Sequence, residues 1–298
     1  GADFIKVFSE VSAAHWRVIL DEARRLGIPV SGHVPAQVSL LAAAMAGQRT
    51  DEHLMQAYEA CSSTEDLFIA ARARRDGEGA VALRDAQERA VLAAFDQRAC
   101  SHAATALART RQFQLPTLVL PYVEANPGQP VFRDDARWRY LRRDEQARWA
   151  RILDHAPHDM ALRQRRWRVS RDIVRTMHAA GVPILAGTDA PMPLVFPGYA
   201  LHKELVLLVD AGLRPAEALR SATLGAAEFL GTSATSGSIA AGKRADLILL
   251  DANPLTRISN TQRIDAVVFD GRLLRRAELD AMLDAAARQV ETAKDPGR

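Results

Sequence analysis

The run Val-Pro-Ile-Leu-Ala-Gly-Thr-Asp at residues 182–189 decides the predicted fold. A short apolar run that ends in a small residue, a hydroxyl and a carboxylate is typical of a buried parallel strand that presents one acid at its C-terminal end. In an α/β barrel, the chemistry takes place at that end of the strands. We therefore expect Asp189 to be a site residue, and we expect its partners to lie at the ends of similar strands.

Three upstream residues, Lys6, His33 and His53, each close a similar apolar run. Two predicted helices, each followed by a glycine, separate these runs, and such alternation is typical of right-handed βα units in a parallel sheet. We expect the three residues and Asp189 to meet at the C-terminal ends of four strands. A lysine, two histidines and an aspartate in one place can hold a divalent metal.

Each of these four residues also has a structural interpretation. Lys6 could lay its stem along apolar surface and keep its ammonium in water. His33 and His53 could be hydrogen-bonded core histidines, and Asp189 could cap the helix that follows it. The shared position at four strand ends favours the metal hypothesis over these alternatives.

The remaining elements up to residue 235 continue the α/β pattern. Between residues 55 and 113 we expect two or three helices, with one break at Gly77 and Gly79. Tyr122 and His202 lie in the loops after two of the strand ends and are candidate substrate-binding residues, although His202 could equally belong to a helix face. We predict a strand at 114–120 and helices at 12–26, 37–46, 138–155, 162–180, 201–211 and 215–221.

From Gly237 the pattern changes to short strands. An Asp-Gly pair at 270–271 indicates a hairpin turn. Such short strands cannot make a stable sheet without a partner face, so we expect them to pack on the barrel or on strands that these residues do not supply. We predict strands at 237–239, 245–251, 264–269 and 272–274, and a closing helix at 278–290.

Composition bounds the classes of function. The chain has 298 residues, of which 48% are hydrophobic and 25% charged, with a net charge of +3. This balance indicates a globular protein and gives little support to a nucleic-acid partner. The arginine-rich stretch at 163–168 fits a solvated helix face better than a nucleic-acid site. No apolar run is long enough to span a bilayer, so we expect a soluble chain without a membrane partner, whose cellular location stays open.

Two other kinds of site receive no support. Cys61 and Cys100 have neither metal-type spacing nor a disulfide framework, and the simplest interpretation makes both small buried apolar residues. Ser31 and Thr188 lack the flanking residues of a nucleophile elbow. The sequence therefore does not predict a serine hydrolase.

Seven short motifs are spread along the chain: Gly-Ala-Asp-Phe-Ile-Lys-Val at 1–7, Ser-Gly-His at 31–33, Asp-Glu-His at 51–53, Gly-Thr-Asp-Ala at 187–190, Glu-Leu at 204–205, Asp-Ala-Gly-Leu at 210–213 and Gly-Ser-Ile-Ala-Ala-Gly-Lys-Arg-Ala-Asp-Leu at 237–247. Together they resemble the amidohydrolase superfamily. The resemblance spans nearly the whole chain and is greatest to the imidazolonepropionase and Xaa-Pro or Xaa-Arg dipeptidase-like branch.

The resemblance implies a (β/α)8 barrel with a small β-sandwich. We therefore predict an incomplete TIM-type barrel, strands four to eight, at residues 1–235, a β-sandwich segment at 236–275, and a C-terminal helix and tail at 276–298. The family also carries a His-x-His pair at the end of strand one, and this sequence contains none. We expect strands one to three and the first part of the sandwich to be missing from these residues.

The resemblance also implies a role for each candidate residue. Lys6 would be the strand-four lysine, N-carboxylated and bridging two metal ions. His33 and His53 would be the strand-five and strand-six ligands of the second metal. Asp189 would be the strand-eight acid, which binds the first metal and takes a proton from water. Zinc is the expected metal.

These features predict a metal-dependent hydrolase that acts on the C–N bond of an amide or cyclic amide, with a small-molecule or dipeptide-like substrate. A hypothesis of a different class is a truncated, catalytically impaired fragment or pseudoenzyme. The open sheet edges that truncation would leave predict either instability or a homo-oligomer.

Overall fold

Four short parallel strands organise the N-terminal two thirds of the structure, a computed structural model that describes residues 2–73, 80–154 and 159–292. The predicted break at Gly77 and Gly79 lies outside the described residues. The strands are β1 Ile5–Val7, β2 Val30–Gly32, β3 Thr50–Glu52 and β4 Phe113–Leu115.

The strands follow one another in chain order. β1 pairs with β2 in parallel, and β3 pairs with β4 in parallel. Between the two pairs, the Arg49 amide donates to Val30 O at 2.7 Å, and the Gly32 amide donates to Thr50 Oγ1 at 2.8 Å. Gln114 of β4 pairs in parallel with Ile184. All five chain segments thus end at the same edge.

Two predicted strands are shorter than expected. The run at 182–186 makes only the bridge at Ile184, since Pro183 has no amide to donate to a neighbour. The predicted strand at 114–120 ends at Leu115, because Pro116 cannot donate and Thr117 turns the chain with a φ of 44°. A helix then begins at Val119, which contradicts the prediction.

Helices cover the parallel strands. The prediction of α1 is confirmed: the Ser12 side chain accepts from the His15 amide, and Gly27 ends the helix in the left-handed conformation. The helices are α1 Ala13–Leu26, α2 Leu40–Met45, α3 Ala57–Ala60, α4 Glu65–Ala73, α5 Ala80–Ala93, α6 Gln97–Leu107, α7 Val119–Ala125, α8 Pro130–Arg133, α9 Arg143–Asp154, α10 Met160–Ala179, α11 Ala200–Asp210, α12 Pro215–Ser221, α13 Leu224–Phe229 and α14 Arg276–Thr292, with 3-10 turns at Ala136–Tyr140 and Ile258–Gln262. None of these described helices is long and apolar enough to cross a membrane.

The core lies between the parallel strands and the helices. Helix α10 packs against α3, α6 and α7, and its Ile173 and Met177 are fully buried. Burial of one such side chain contributes about 1.5–3 kcal/mol. On the same helix, Arg163 and Arg166 are not the solvated face that the sequence predicted. Both are half-buried and form ion pairs with Glu88 and Glu124.

The two cysteines form a disulfide, which corrects the expectation that they are separate apolar residues. Cys61 ends α3 and Cys100 lies in α6, and both are fully buried. The Asp96 amide donates to Cys61 O at 2.9 Å, which brings the start of α6 beside the end of α3. Tertiary packing, and not the spacing of the two cysteines, makes this pair.

The C-terminal part is a separate antiparallel sheet of three strands, β5 Leu247–Leu250, β6 Ile264–Phe269 and β7 Arg272–Arg275. The predicted hairpin is confirmed, because Asp270 and Gly271 both have positive φ and join β6 to β7. The predicted strand at 237–239 does not form. Helix α14 packs against β6 and β7.

Candidate metal centre

The four residues predicted from strand ends lie together. Lys6 is in β1, His33 follows β2, His53 follows β3, and Asp189 follows the segment that pairs through Ile184. The His33 and His53 rings are 5.0 Å apart between centroids. His53 Nε2 is 3.8 Å from Asp189 Oδ2. The common edge of the parallel strands therefore produces the cluster.

Glu52, the last residue of β3, lies close to both Lys6 and His53. Its Oε2 lies 2.8 Å from Lys6 Nζ and 3.8 Å from His53 Nε2. The sequence interpretation missed this residue. Its signal was an Asp-Glu-His run inside a predicted buried strand, where three adjacent ionisable residues need partners.

His33, Glu52 and His53 can hold a cation. One potential ligand atom from each lies within 4.8 Å of the others. Ligand atoms around a tetrahedral zinc ion, at about 2.1 Å from the metal, lie about 3.4 Å apart. In addition, His33 Nδ1 is buried with no hydrogen-bond partner among the described residues. A buried nitrogen without a partner, beside a carboxylate and a second imidazole, fits a divalent metal.

Burial keeps both imidazoles in the form that binds metal. Burial lowers the pKa of His33 and of His53, and this effect outweighs the nearby carboxylates, which raise both values. The rings are therefore neutral near pH 7, and a neutral imidazole has a nitrogen lone pair for a cation. His53 Nδ1 lies 2.9 Å from Thr117 Oγ1, so Nε2 is the nitrogen that faces Glu52 and Asp189.

Three non-glycine residues at the site have left-handed backbone: His53 with a φ of 65°, Thr117 with 44° and Asp189 with 54°. Such conformations cost about 1–3 kcal/mol each and persist where the surrounding structure enforces them. The residues share a location because each turns the chain sharply at the end of a strand. This turn directs the side chain across the strand ends.

Tyr122 lies in α7 and His202 in α11, so neither is in the loop where the sequence placed it. The Tyr122 hydroxyl donates to Gln129 Oε1 at 3.0 Å, and the Lys203 ammonium lies 3.9 Å from the centre of its ring. His202 Nδ1 lies 3.0 Å from Thr261 Oγ1, and burial lowers its pKa, with a smaller contribution from Arg137. None of these contacts involves the metal-type cluster. Their substrate-binding roles stay predictions.

The model of the amidohydrolase family matches residues 10–274. The imidazolonepropionase of Shouchella clausii (strain KSM-K16) is 34% identical over 108 residues, which are 34% of this chain and 23% of that protein. The imidazolonepropionase of Chromobacterium violaceum is 41% identical over 81 residues, which are 26% of this chain and 19% of that protein.

Solved structures match over a longer range. Bottromycin amidohydrolase has a TM-score of 0.70 and 26% identity, over 97% of this chain and 59% of that one. A Xaa-Pro dipeptidase with bound methionine has a TM-score of 0.53 and 22% identity, over 87% of this chain and 48% of that one. The chain thus spans about half the length of these structures.

Proposed function

This chain belongs to the amidohydrolase family, and from that premise we propose that it forms part of a metal-dependent hydrolase that cleaves the C–N bond of an amide or cyclic amide. The observation that carries the proposal is the convergence of His33, Glu52, His53 and Asp189 at one edge of the parallel strands. Two neutral imidazoles and two carboxylates are a donor set for zinc.

The fold assignment is part of the same proposal. We assign β1, β2, β3 and β4 to strands four to seven of a (β/α)8 barrel, and the segment at Ile184 to strand eight. The support is their parallel order and the TM-score of 0.70 to bottromycin amidohydrolase. The proposed units remain 1–235, 236–275 and 276–298.

His33, Glu52 and His53 would hold the cation, with Asp189 beside it. A divalent metal bound there would lower the pKa of water to about 7 and polarise a carbonyl group. Asp189 is exposed, whereas His33 and His53 are partly buried. It would take the proton from the attacking water and deliver it to the leaving nitrogen as the C–N bond breaks.

N-carboxylation would change the charge of Lys6 from positive to negative. As an ammonium it neutralises Glu52 at 2.8 Å. As a carbamate it would place a second anion beside Glu52, and the two anions would then need cations between them. N-carboxylation of Lys6 is thus coupled to metal loading, and a binuclear centre needs the carbamate.

The substrate proposal follows the names of the similar proteins. Imidazolonepropionase and Xaa-Pro dipeptidase point to a cyclic amide and a dipeptide, respectively. The exposed Phe8 ring packs edge-on against His33 at 4.9 Å, so an apolar surface borders the cluster. We propose a small dipeptide-like or cyclic amide substrate with an apolar part.

Zinc titration and substrate hydrolysis test the proposal on one preparation. We expect the chain to bind zinc and to hydrolyse members of a panel of Xaa-Pro dipeptides and cyclic amides. His53→Ala should abolish turnover and weaken zinc binding by more than about 100-fold, since loss of an outer partner alone costs about 10–100-fold. His102→Ala, on the exposed side of α6, is the matched control and should leave both unchanged.

Two results would count against this function. Equal zinc binding by the wild-type chain and His53→Ala would place the metal elsewhere. Zinc binding without turnover of any substrate in the panel would favour the hypothesis of a catalytically impaired fragment.

A further inference from the structure

Two buried residues outside the ligand set are connected to His53: Thr117 contacts its ring, and Glu204 contacts the backbone of the two residues that follow Thr117. We propose that Thr117 and Glu204 are positioning residues that together fix the orientation and the tautomer of His53. The inference rests on the proposed metal function, because it concerns which nitrogen of His53 the cation meets. It adds two residues that have no place among the ligands.

Thr117 contacts one of the two ring nitrogens of His53. The buried Thr117 Oγ1 lies 2.9 Å from His53 Nδ1. His53 Nε2 is 3.8 Å from both Glu52 Oε2 and Asp189 Oδ2, which is longer than a hydrogen bond. A neutral imidazole carries one proton, and we assign it to Nδ1, where it can donate to the hydroxyl. The lone pair of Nε2 then faces the two carboxylates.

Glu204 holds Thr117 in place. The Leu118 amide donates to Glu204 Oε1 at 2.9 Å, and the Val119 amide donates to Oε2 at 2.8 Å. These amides belong to the two residues that follow Thr117. Thr117 itself has a φ of 44°, which is unfavourable for a β-branched side chain. The two hydrogen bonds to Glu204 therefore stabilise a backbone conformation that Thr117 would not adopt alone.

The chemistry of Glu204 matches this role. The side chain is fully buried in α11, and burial raises its pKa to about 8, against the two amides, which lower it. An ionisable group in such a place is costly unless its hydrogen bonds are made. Both oxygens are used by adjacent backbone amides, and a glutamine could accept from only one of them.

The first test is the zinc affinity of Thr117 variants, measured by competition with a chromophoric chelator. Thr117→Val keeps the shape and removes the hydroxyl, and we expect about 10–100-fold weaker binding, as for other partners of ligating histidines. Thr117→Ser should restore wild-type affinity. Thr261→Val is the matched control, because it removes the same contact from His202, away from the cluster. It should leave zinc binding unchanged.

The second test asks whether Glu204 acts through Thr117. Glu204→Gln should weaken zinc binding about three- to tenfold, the equivalent of one hydrogen bond. In the Thr117→Val background, Glu204→Gln should have little further effect, because the link to His53 is already removed. Equal effects in both backgrounds would show that Glu204 is only a structural residue and would overturn its positioning role.

The third test needs no metal. Nitrogen-15 spectra of the metal-free protein should show His53 protonated at Nδ1, and Thr117→Val should move the proton towards Nε2. Urea unfolding of each variant checks that it folds. If Thr117→Val does not fold, Thr117→Ala replaces it in these measurements. A wild-type chain that binds no zinc would refute the metal function, while the spectra would still decide the positioning role. A wild-type His53 protonated at Nε2, or a tautomer unaffected by Thr117→Val, would refute the latter.

Discussion

The parallel strands and the C-terminal antiparallel sheet are both made of short strands, yet their apolar side chains meet different surroundings. Val30 of β2 is 3% exposed, whereas Ile248 of β5 and Phe269 of β6 are 58% and 60% exposed. Helices cover the parallel strands, while the described residues leave much of the antiparallel sheet uncovered. The layer packed on a strand thus decides how much each of its apolar side chains stabilises the fold.

The largest expected difference between the two regions comes from one substitution made in each. Ile173→Ala, in α10, should lower the free energy of unfolding by about 2–5 kcal/mol, because Ile173 is fully buried. Ile248→Ala, on the exposed sheet, should change it by about 0.5 kcal/mol or less. Urea unfolding measures both values. Equal losses would mean that the sheet is covered as well as the helical layer.

Substitution of one glycine in each region should give the next largest difference in the free energy of unfolding. A Cβ at Gly32, which has a φ of 106°, would lie 2.4 Å from Val7 O, so Gly32→Ala should force β1 and β2 apart and cost about 2–4 kcal/mol. Gly271, in the turn of the antiparallel hairpin, has a φ of 75° and no atom within 4 Å of its Cβ position. Gly271→Ala should therefore cost only about 1 kcal/mol, the strain of the left-handed conformation. A smaller loss at Gly32 than at Gly271 in urea unfolding would reverse the comparison.

The smallest changes in the free energy of unfolding are expected at the starts of α12 and α14. At each of them a glutamate accepts hydrogen bonds from an arginine side chain and from a backbone amide. Glu217 accepts from the side chain and the backbone amide of Arg214, and this lowers the pKa of Glu217 to about 2. Its stabilisation is therefore present above the usual pKa of 4.5 and is lost as the pH falls towards 2. At pH 7, Glu217→Gln should cost about 0.5–1 kcal/mol.

The matched residue in the C-terminal region is Glu278, which accepts from Arg272 and from the Arg275 amide, with Arg272 the main cause of its lowered pKa. It is more exposed than Glu217, so Glu278→Gln should have the smaller effect. Thermal unfolding at pH 7 and pH 3 compares the two variants with the wild-type chain. A difference between Glu217→Gln and wild type that grows on acidification would contradict the assigned pKa shift.

The elements could be predicted where a local pattern specifies them. Helix α1 has a capping serine before it and a glycine after it, and the hairpin has an Asp-Gly turn. The prediction failed where a single backbone group decides the outcome. Pro116 and the φ of Thr117 stop β4 early, and the Glu204 carboxyl, far along the chain, caps the helix that follows.

The candidate site could be predicted in part. The sequence predicts that Lys6, His33, His53 and Asp189 lie together, because each ends a predicted strand and parallel strands end at one edge. Glu52 was missed because it lies one residue before the expected ligand. Its importance depends on the distance to Lys6, which no pattern in one strand contains.

By itself, the amino-acid sequence determined the alternation of strands and helices and the identity of the acid and imidazole side chains at the strand ends, because these depend on neighbouring residues in the chain. Only the tertiary structure decided that Glu52 lies among them, that Thr117 contacts His53, and that Cys61 pairs with Cys100. Each of these contacts joins chain segments through packing. Their energies depend on distances between elements, which residue order alone does not specify.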